Sequence, residues 1–84
     1  MTITLQKVGR LANVAWIVLV DGKESGLSIV PGSFDRVTKG YTTSIVFTSF
    51  KVQDFRAGQN GKIIAEGLAT KPVAQARAAA ILAA

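Results

Sequence analysis

The run Val14-Ala15-Trp16-Ile17-Val18-Leu19-Val20 constrains this chain more than any other stretch. It is seven apolar residues long, β-branched at four positions, and closed by Asp21-Gly22. Such a length and composition predict a strand, since a helix would need more residues and a capping signal. Side chains alternate across a strand, so Val14, Trp16, Val18 and Val20 face one way and Ala15, Ile17 and Leu19 the other. Both faces are apolar. A strand of this kind needs cover on two sides.

A chain of 84 residues has little material to supply that cover. It makes one domain, 1–84, with a single core of modest stability. It holds no Cys and no His, which removes disulfides, thiolate–zinc sites and imidazole ligands as reinforcement. Dense packing or self-association is left. A hydrophobic fraction of 49% and a mean hydropathy of +0.35 lean toward more apolar surface than one small core absorbs. The expectation is a homo-oligomer, a dimer, whose interface draws on Trp16, Ile17, Val18 and Leu19.

The same absences bear on chemistry. There is no histidine base and no thiol nucleophile. A Ser–Lys arrangement or a carboxylate pair stays formally open. Asp21, Glu24, Asp35, Asp54 and Glu66 show no motif spacing, and an all-oxygen metal site asks for a denser acidic cluster. Gly22, Gly26 and Gly32 are irregularly spaced, and Gly58-Gln59-Asn60-Gly61 precedes a strand, not a helix, so neither forms a phosphate loop. The expectation is a protein that is not an enzyme and carries no metal or cofactor.

Along the chain, Ile3 and Leu5 alternate with Thr2, Thr4 and Gln6, predicting a half-buried strand. Gly9-Arg10 and Asn13 turn it back antiparallel into the Val14–Val20 strand. After Asp21-Gly22 the loop extends toward Ser25-Gly26, then Leu27-Ser28-Ile29-Val30 forms a short strand that Pro31-Gly32 ends. Pro31 lacks a donor, so that strand lies on an edge or breaks there. Residues 33–40 read as one helical turn capped by Ser33, or as an irregular loop.

Tyr41 to Arg56, rich in Thr, Val, Ile and Phe, predicts the longest strand. Its alternation puts Val46, Thr48, Phe50 and Val52 on one face and Ile45, Phe47, Ser49 and Lys51 on the other, with a bulge near Gln53-Asp54. Asn60-Gly61 suits a type I′ hairpin. Lys62 to Leu68 returns as a strand, Ile63 and Ala65 on one face and Ile64 on the other. Thr70 then caps a helix that runs from about Lys71 to the C-terminus, with Pro72 in its first turn. Ala74, Ala78, Ile81 and Leu82 form its apolar stripe, flanked by Val73 and Ala80. The fold class is α+β: an antiparallel sheet of four to five strands with one alanine-rich C-terminal helix packed on one face. Gly67-Leu68-Ala69-Thr70-Lys71-Pro72 leading into that helix resembles small sheet-plus-helix modules of double-stranded-RNA-binding and integrase arm-binding type. The resemblance covers the final quarter of the chain, and no family is assigned on it.

Ten Lys and Arg against five Asp and Glu give a net charge of +5. That field favours nucleic acid or an acidic protein surface as partner, although the basic residues are scattered and never form a run. The stretch Phe47 to Arg56 mixes aromatics with cations, as single-strand binders do when bases stack on a sheet beside Lys or Arg. Phe47, Lys51, Arg56 and Lys62 are the candidate contacts, with Arg36 and Lys39 from the preceding stretch. The plainer reading of the same phenylalanines is core, as most are, and the segment does not match the RNP1 pattern. Lys71 at the helix start opposes the dipole, which hints that its charge serves something else. Nucleic-acid binding through a basic, aromatic sheet face or hairpin is the leading expectation. A protein-interaction module (inhibitor, adaptor or assembly subunit) is the other. No stretch reaches the ~18 apolar residues of a membrane span, and the N-terminus lacks the basic and apolar regions of a signal peptide. A soluble, cytoplasmic protein is expected.

Overall fold

Asp21 and Gly22 both take positive φ, 52° and 83°, and the residues on either side, Val20 and Lys23, are strand partners. This is a two-residue turn of type I′, whose twist matches that of the strands it joins. It links β2 (Ala15–Val20) to β3 (Lys23–Lys39) within one antiparallel sheet. β1 (Ile3–Val8) precedes them, and β4 (Thr42–Asp54), β5 (Lys62–Leu68) and α1 (Lys71–Ala83) follow. The strand order is β1-β2-β3-β4-β5. The structure, a computed structural model, describes residues 2–10, 13–58 and 60–83. Gln59, read as part of a hairpin tip, lies outside the described residues.

The helix covers the Trp16 face of the sheet. Val14, Trp16 and Val18 are buried there with Leu27 and Ile29 of β3, Phe50 and Val52 of β4, and Leu68 of β5. Ala74 and Ala78 seal this core from above with no exposed surface. Their methyl groups let the helix backbone approach closely, and Ile81 and Leu82 add area at its far end. Val73 is instead largely exposed, so the helix supplies less apolar cover than its sequence suggested. Val18, Leu27, Ile29 and Val52 are the largest fully buried side chains, each contributing about 1.5–3 kcal/mol of burial. Thr70 caps the helix as expected, its Oγ1 accepting the Val73 N–H at 3.3 Å. Gln75 Nε2 donates to the Ile3 carbonyl at 3.1 Å and ties the helix to the opposite edge of the sheet.

Three local readings are corrected. Ser25-Gly26 is a bulge inside β3, not a loop: Ile17 pairs with Ser28 but Leu19 with Glu24. Gly26 takes φ 87° there, while Ser25 Oγ donates to the Val18 carbonyl at 2.8 Å. In β5, Ile64 and Ala65 both reach the core while Ile63 is exposed, because the β4–β5 register shifts between Val52 and Gln53. Gly61 takes φ 51°, and the strand partners Asp54 and Lys62 leave seven residues between them. The connection 55–61 between Asp54 and Lys62 is therefore not a two-residue type I′ turn.

The largest correction concerns residues 33–40. They are neither a helical turn nor a loop. Ser33 to Lys39 continue β3 and pair with Thr42 to Ser49 of β4. Ser33 does not cap a helix; its Oγ is hydrogen-bonded to Thr48 Oγ1 at 2.6 Å and Ser49 Oγ at 2.8 Å. Pairing with β2 reaches along β3 only as far as Ile29, and pairing with β5 along β4 only as far as Phe50. Beyond those points β3 and β4 run on as a two-stranded ribbon, and the molecule measures 46 × 23 × 22 Å. Pro31 does not end the strand. It sits where β3 leaves β2, so its missing donor costs no cross-strand bond to that neighbour.

The base of the ribbon carries a paired irregularity. Pro31 pairs with Phe50, Ser33 with Ser49, and Phe34 with Phe47. Gly32 is thus one extra residue on β3 and Thr48 one extra on β4. An extra residue exchanges the two faces of everything beyond it. Phe34, Arg36 and Thr38, paired with Phe47, Ile45 and Thr43, therefore share the helix-side face with Phe50 and Val52. The expected grouping of Phe47 with Lys51 is corrected for the same reason.

Candidate nucleic-acid interface

Phe47 connects the interior of the protein to its ribbon. Its ring meets Trp16 at 5.9 Å and 88°, and Phe34 at 6.5 Å and 78°. Trp16 in turn meets Phe50 at 5.6 Å and 65°. These are the edge-to-face arrangements that aromatic quadrupoles favour. The rings form a graded series, from Trp16 in the core through half-buried Phe47 to Phe34, which is 39% exposed.

Beside that series lies a groove of about 310 Å³, lined by Lys7, Val14, Thr43, Ser44, Ile45 and Phe47. Lys7 is the strand partner of Trp16, and Arg36 that of Ile45. Alternation therefore sets both cations on the helix side of the sheet and ribbon, with Asp35 on the reverse. Lys71 Nζ stands 5.1 Å from the centre of the Trp16 ring. Its position at the unfavourable end of the helix dipole thus has a local reason, a cation over an aromatic face. The combination can stack flat apolar groups on Phe34 and Phe47 and attract anionic groups to Lys7 and Arg36.

The residues singled out from sequence divide among three places. Phe47 and Arg36 share the helix-side face of the ribbon. Lys39, the partner of Thr42, takes the ribbon's other face near its tip, and Lys51, the partner of Val30, lies on the sheet face away from the helix. Arg56 and Lys62 meet around Asp54 at the far end. Lys62 is the strand partner of Asp54. Arg56 Nε and Nη2 donate to the two Asp54 carboxylate oxygens at 3.1 Å each, and its backbone N–H donates to Oδ1 at 2.8 Å. The Arg56 side chain, then its backbone N–H, hold the Asp54 carboxyl below the usual carboxylate range. Lys51, Arg56 and Lys62 therefore do not form one basic patch: Lys51 is three residues from Asp54 along β4, roughly 10 Å away, and Arg56 is committed to an ion pair.

The interface residues also divide. Trp16 and Val18 are 6% and 0% exposed beneath the helix, so neither is available to a partner subunit. Ile17 and Leu19 lie half-buried on the uncovered face. Lys7 and Phe34 are the members of the aromatic and basic site that sequence reasoning missed; Lys71 was noted for its position against the helix dipole but not placed at the site. The alternation of Phe34, Arg36 and Thr38 against Thr43, Ile45 and Phe47 was the available signal, hidden by the two extra residues at the ribbon's base.

No protein-family model matches this chain, no curated protein matches it, and no solved structure matches its fold. Among the described residues no helix is long and apolar enough to cross a membrane.

Proposed function

We propose that this protein is a non-catalytic, cytoplasmic binder of single-stranded nucleic acid. Bases lie against Phe34 and Phe47, and Lys7 and Arg36 hold the phosphates along the groove between the ribbon and the β1–β2 end of the sheet. The observation that carries the reading is the aromatic series Trp16–Phe47–Phe34, which emerges at the surface on the same face that carries Lys7 and Arg36. Base stacking on an aromatic is worth about 1–3 kcal/mol per base and tolerates any sequence. A net charge of +5 adds attraction that weakens with salt.

The test is retardation of a fluorescent single-stranded oligonucleotide at low salt, repeated as salt rises. Binding that weakens steeply between about 50 and about 200 mM salt is the expected result. Phe34→Ala should weaken it, and Phe34→Tyr should retain it. No retardation of single-stranded DNA or RNA at low salt would overturn the reading.

A second reading, the protein-interaction module, is favoured by a separate observation. Of the eight large apolar residues exposed among the described residues, Phe34, Val37, Tyr41 and Val46 all lie on the ribbon. An apolar partner surface would cover them. A complex that persists after nuclease treatment and is unaffected by Lys7→Ala and Arg36→Ala would select this reading.

A further inference from the structure

The ribbon carries a long free edge as well as exposed apolar side chains. From Thr42 to Ser49, β4 pairs with β3 on one side. On its other side β5 stops at Phe50, and among the described residues no other backbone hydrogen bond reaches this segment. Its sequence, Thr-Thr-Ser-Ile-Val-Phe-Thr-Ser, has no charge, no proline and no glycine. Edge strands that remain alone are ordinarily protected by Lys, Pro, a bulge or short length. This edge has none of these along the stretch 42–47, and its one irregularity falls at its base, at Thr48.

We infer that the free edge of β4 is the seam on which a second copy of this chain docks, strand to strand about a two-fold axis. The distribution of charge names the occupant. Two molecules of net charge +5 repel unless their charges stay away from the contact. The three charges of the ribbon, Asp35, Arg36 and Lys39, are all on β3, one strand removed from the edge. A polyanion would gain nothing from an uncharged edge, whereas an identical neutral strand meets it without desolvating an ion. Antiparallel pairing of a segment with itself is also self-complementary, as an isologous two-fold contact requires.

The side chains choose the register. A two-fold axis perpendicular to the sheet keeps each face on its own side, so it must pass through a residue and not between two. Centred on Val46, it brings Val46 against Val46 of the second copy and Ile45 against Phe47 twice. Centred on Ile45, it would set Phe47 against Thr43 and Val46 against Ser44. Apolar cross-strand pairs stabilise a sheet over mixed ones, which selects Val46. The result is a four-stranded sheet, β3-β4-β4-β3, in which Val46, 50% exposed in the single chain, becomes central. Ile45 and Phe47 also line the helix-side groove, so the seam brings the grooves of the two copies side by side on one face.

The test is molar mass in solution by sedimentation equilibrium, on nuclease-treated protein in high salt so that bridging nucleic acid cannot contribute. The unaltered chain should give twice 8.8 kDa. Val46→Lys sets two like charges opposite each other at the seam and should return the mass to a single chain. Val37→Lys, on the same ribbon face but on β3, should leave the dimer intact. Circular dichroism of Val46→Lys identical to that of the parent separates lost association from lost folding. Because the chain has no cysteine, Val46→Cys gives one thiol, which should oxidise to a disulfide-linked dimer, while Ser28→Cys on the uncovered sheet face should not. A monomeric parent chain overturns the inference. So does a dimer that persists in Val46→Lys, or one cross-linked through Cys at 28 and not at 46. None of these outcomes depends on whether nucleic acid binds.

Discussion

Phe47 stands edge-on to Trp16, with ring centres 5.9 Å apart, although their strands, β4 and β2, are separated by β3. The contact exists because Thr48 is an extra residue in β4. Without it Phe47 would face away from the helix. One interaction thereby ties the projecting ribbon to the core.

Phe47→Ala should lower unfolding free energy by about 2–3 kcal/mol, below the 3–5 kcal/mol of a fully buried Phe because the ring is half-buried. Phe34→Ala, further out, should cost about 1 kcal/mol or less while weakening nucleic-acid binding. Urea titration followed by Trp16 fluorescence measures both. Equal losses of stability would contradict the graded burial of the two rings.

Gly26 is intolerant of any side chain. At φ 87°, an added Cβ would lie 2.5 Å from Arg56 Cγ, and the Gly26 carbonyl already accepts the Phe55 N–H at 2.7 Å. Gly26→Ala should destabilise by about 2 kcal/mol, the left-handed backbone contributing about 1–2 kcal/mol and the contact the remainder. Gly58→Ala, where nothing lies within 4 Å, is the control and should stay within about 0.5 kcal/mol of the parent. Chemical denaturation of the pair decides it.

Ala74 and Ala78 set the spacing of the helix above the sheet. Leucine at either position has no space to occupy and should cost about 1–3 kcal/mol through displacement of the helix. Val73→Leu, on an exposed position of the same helix, should change little. Thermal melts by circular dichroism would show the contrast.

The Asp54–Arg56 pair makes stability respond to acid. Arg56 lowers the folded-state pKa of Asp54 below the ordinary carboxylate range, so the folded chain holds its proton less tightly than the unfolded chain. The stabilisation is present in full above the ordinary carboxylate range and disappears as pH falls through the lowered folded value. Asp54→Asn should remove that part of the acid dependence and leave stability near neutral pH slightly reduced. Urea midpoints of parent and variant, measured from neutral pH downward, should converge in acid. Divergence in acid would contradict the assignment.

Nucleic-acid affinity should follow the groove and not the hairpin. Lys7→Ala and Arg36→Ala should each reduce the slope of log K against log salt by about 0.7, the loss of one phosphate contact on a single strand. Replacing Lys51, Arg56 and Lys62 together should change affinity less than either single variant. The reverse ranking, read from binding isotherms at several salt concentrations, would return the site to the hairpin.

Much of this fold was legible because its strong elements obey a single period. The Val14–Val20 run, the Thr70 cap and the Ala74/Ala78 stripe each follow from local chemistry and stand as read, and the Asp21-Gly22 turn lies where it was read but is only two residues long. The ribbon was not legible, because Gly32 and Thr48 break the alternation on both strands at the same level. Phe34 was then lost in an apparent loop, and Phe47 was assigned to the wrong face. Half of the candidate site follows from that one misreading. The choice of face covered by the helix was also beyond the sequence, since Trp16 and Ile17 head two faces of similar apolarity. The position of Lys71 over the Trp16 ring depends on that choice and could not be read before it.

The strand order β1-β2-β3-β4-β5 has a kinetic consequence. Each strand bonds only to its neighbours in sequence, so assembly never has to bring distant segments together before nearby ones have joined. Loop closure at Asp21-Gly22 and Gly40-Tyr41 spans two residues each, and the entropy lost at each step is small. The sheet can zip outward from those turns, with α1 arriving last to close over it. A topology of this kind folds fast for its strand content.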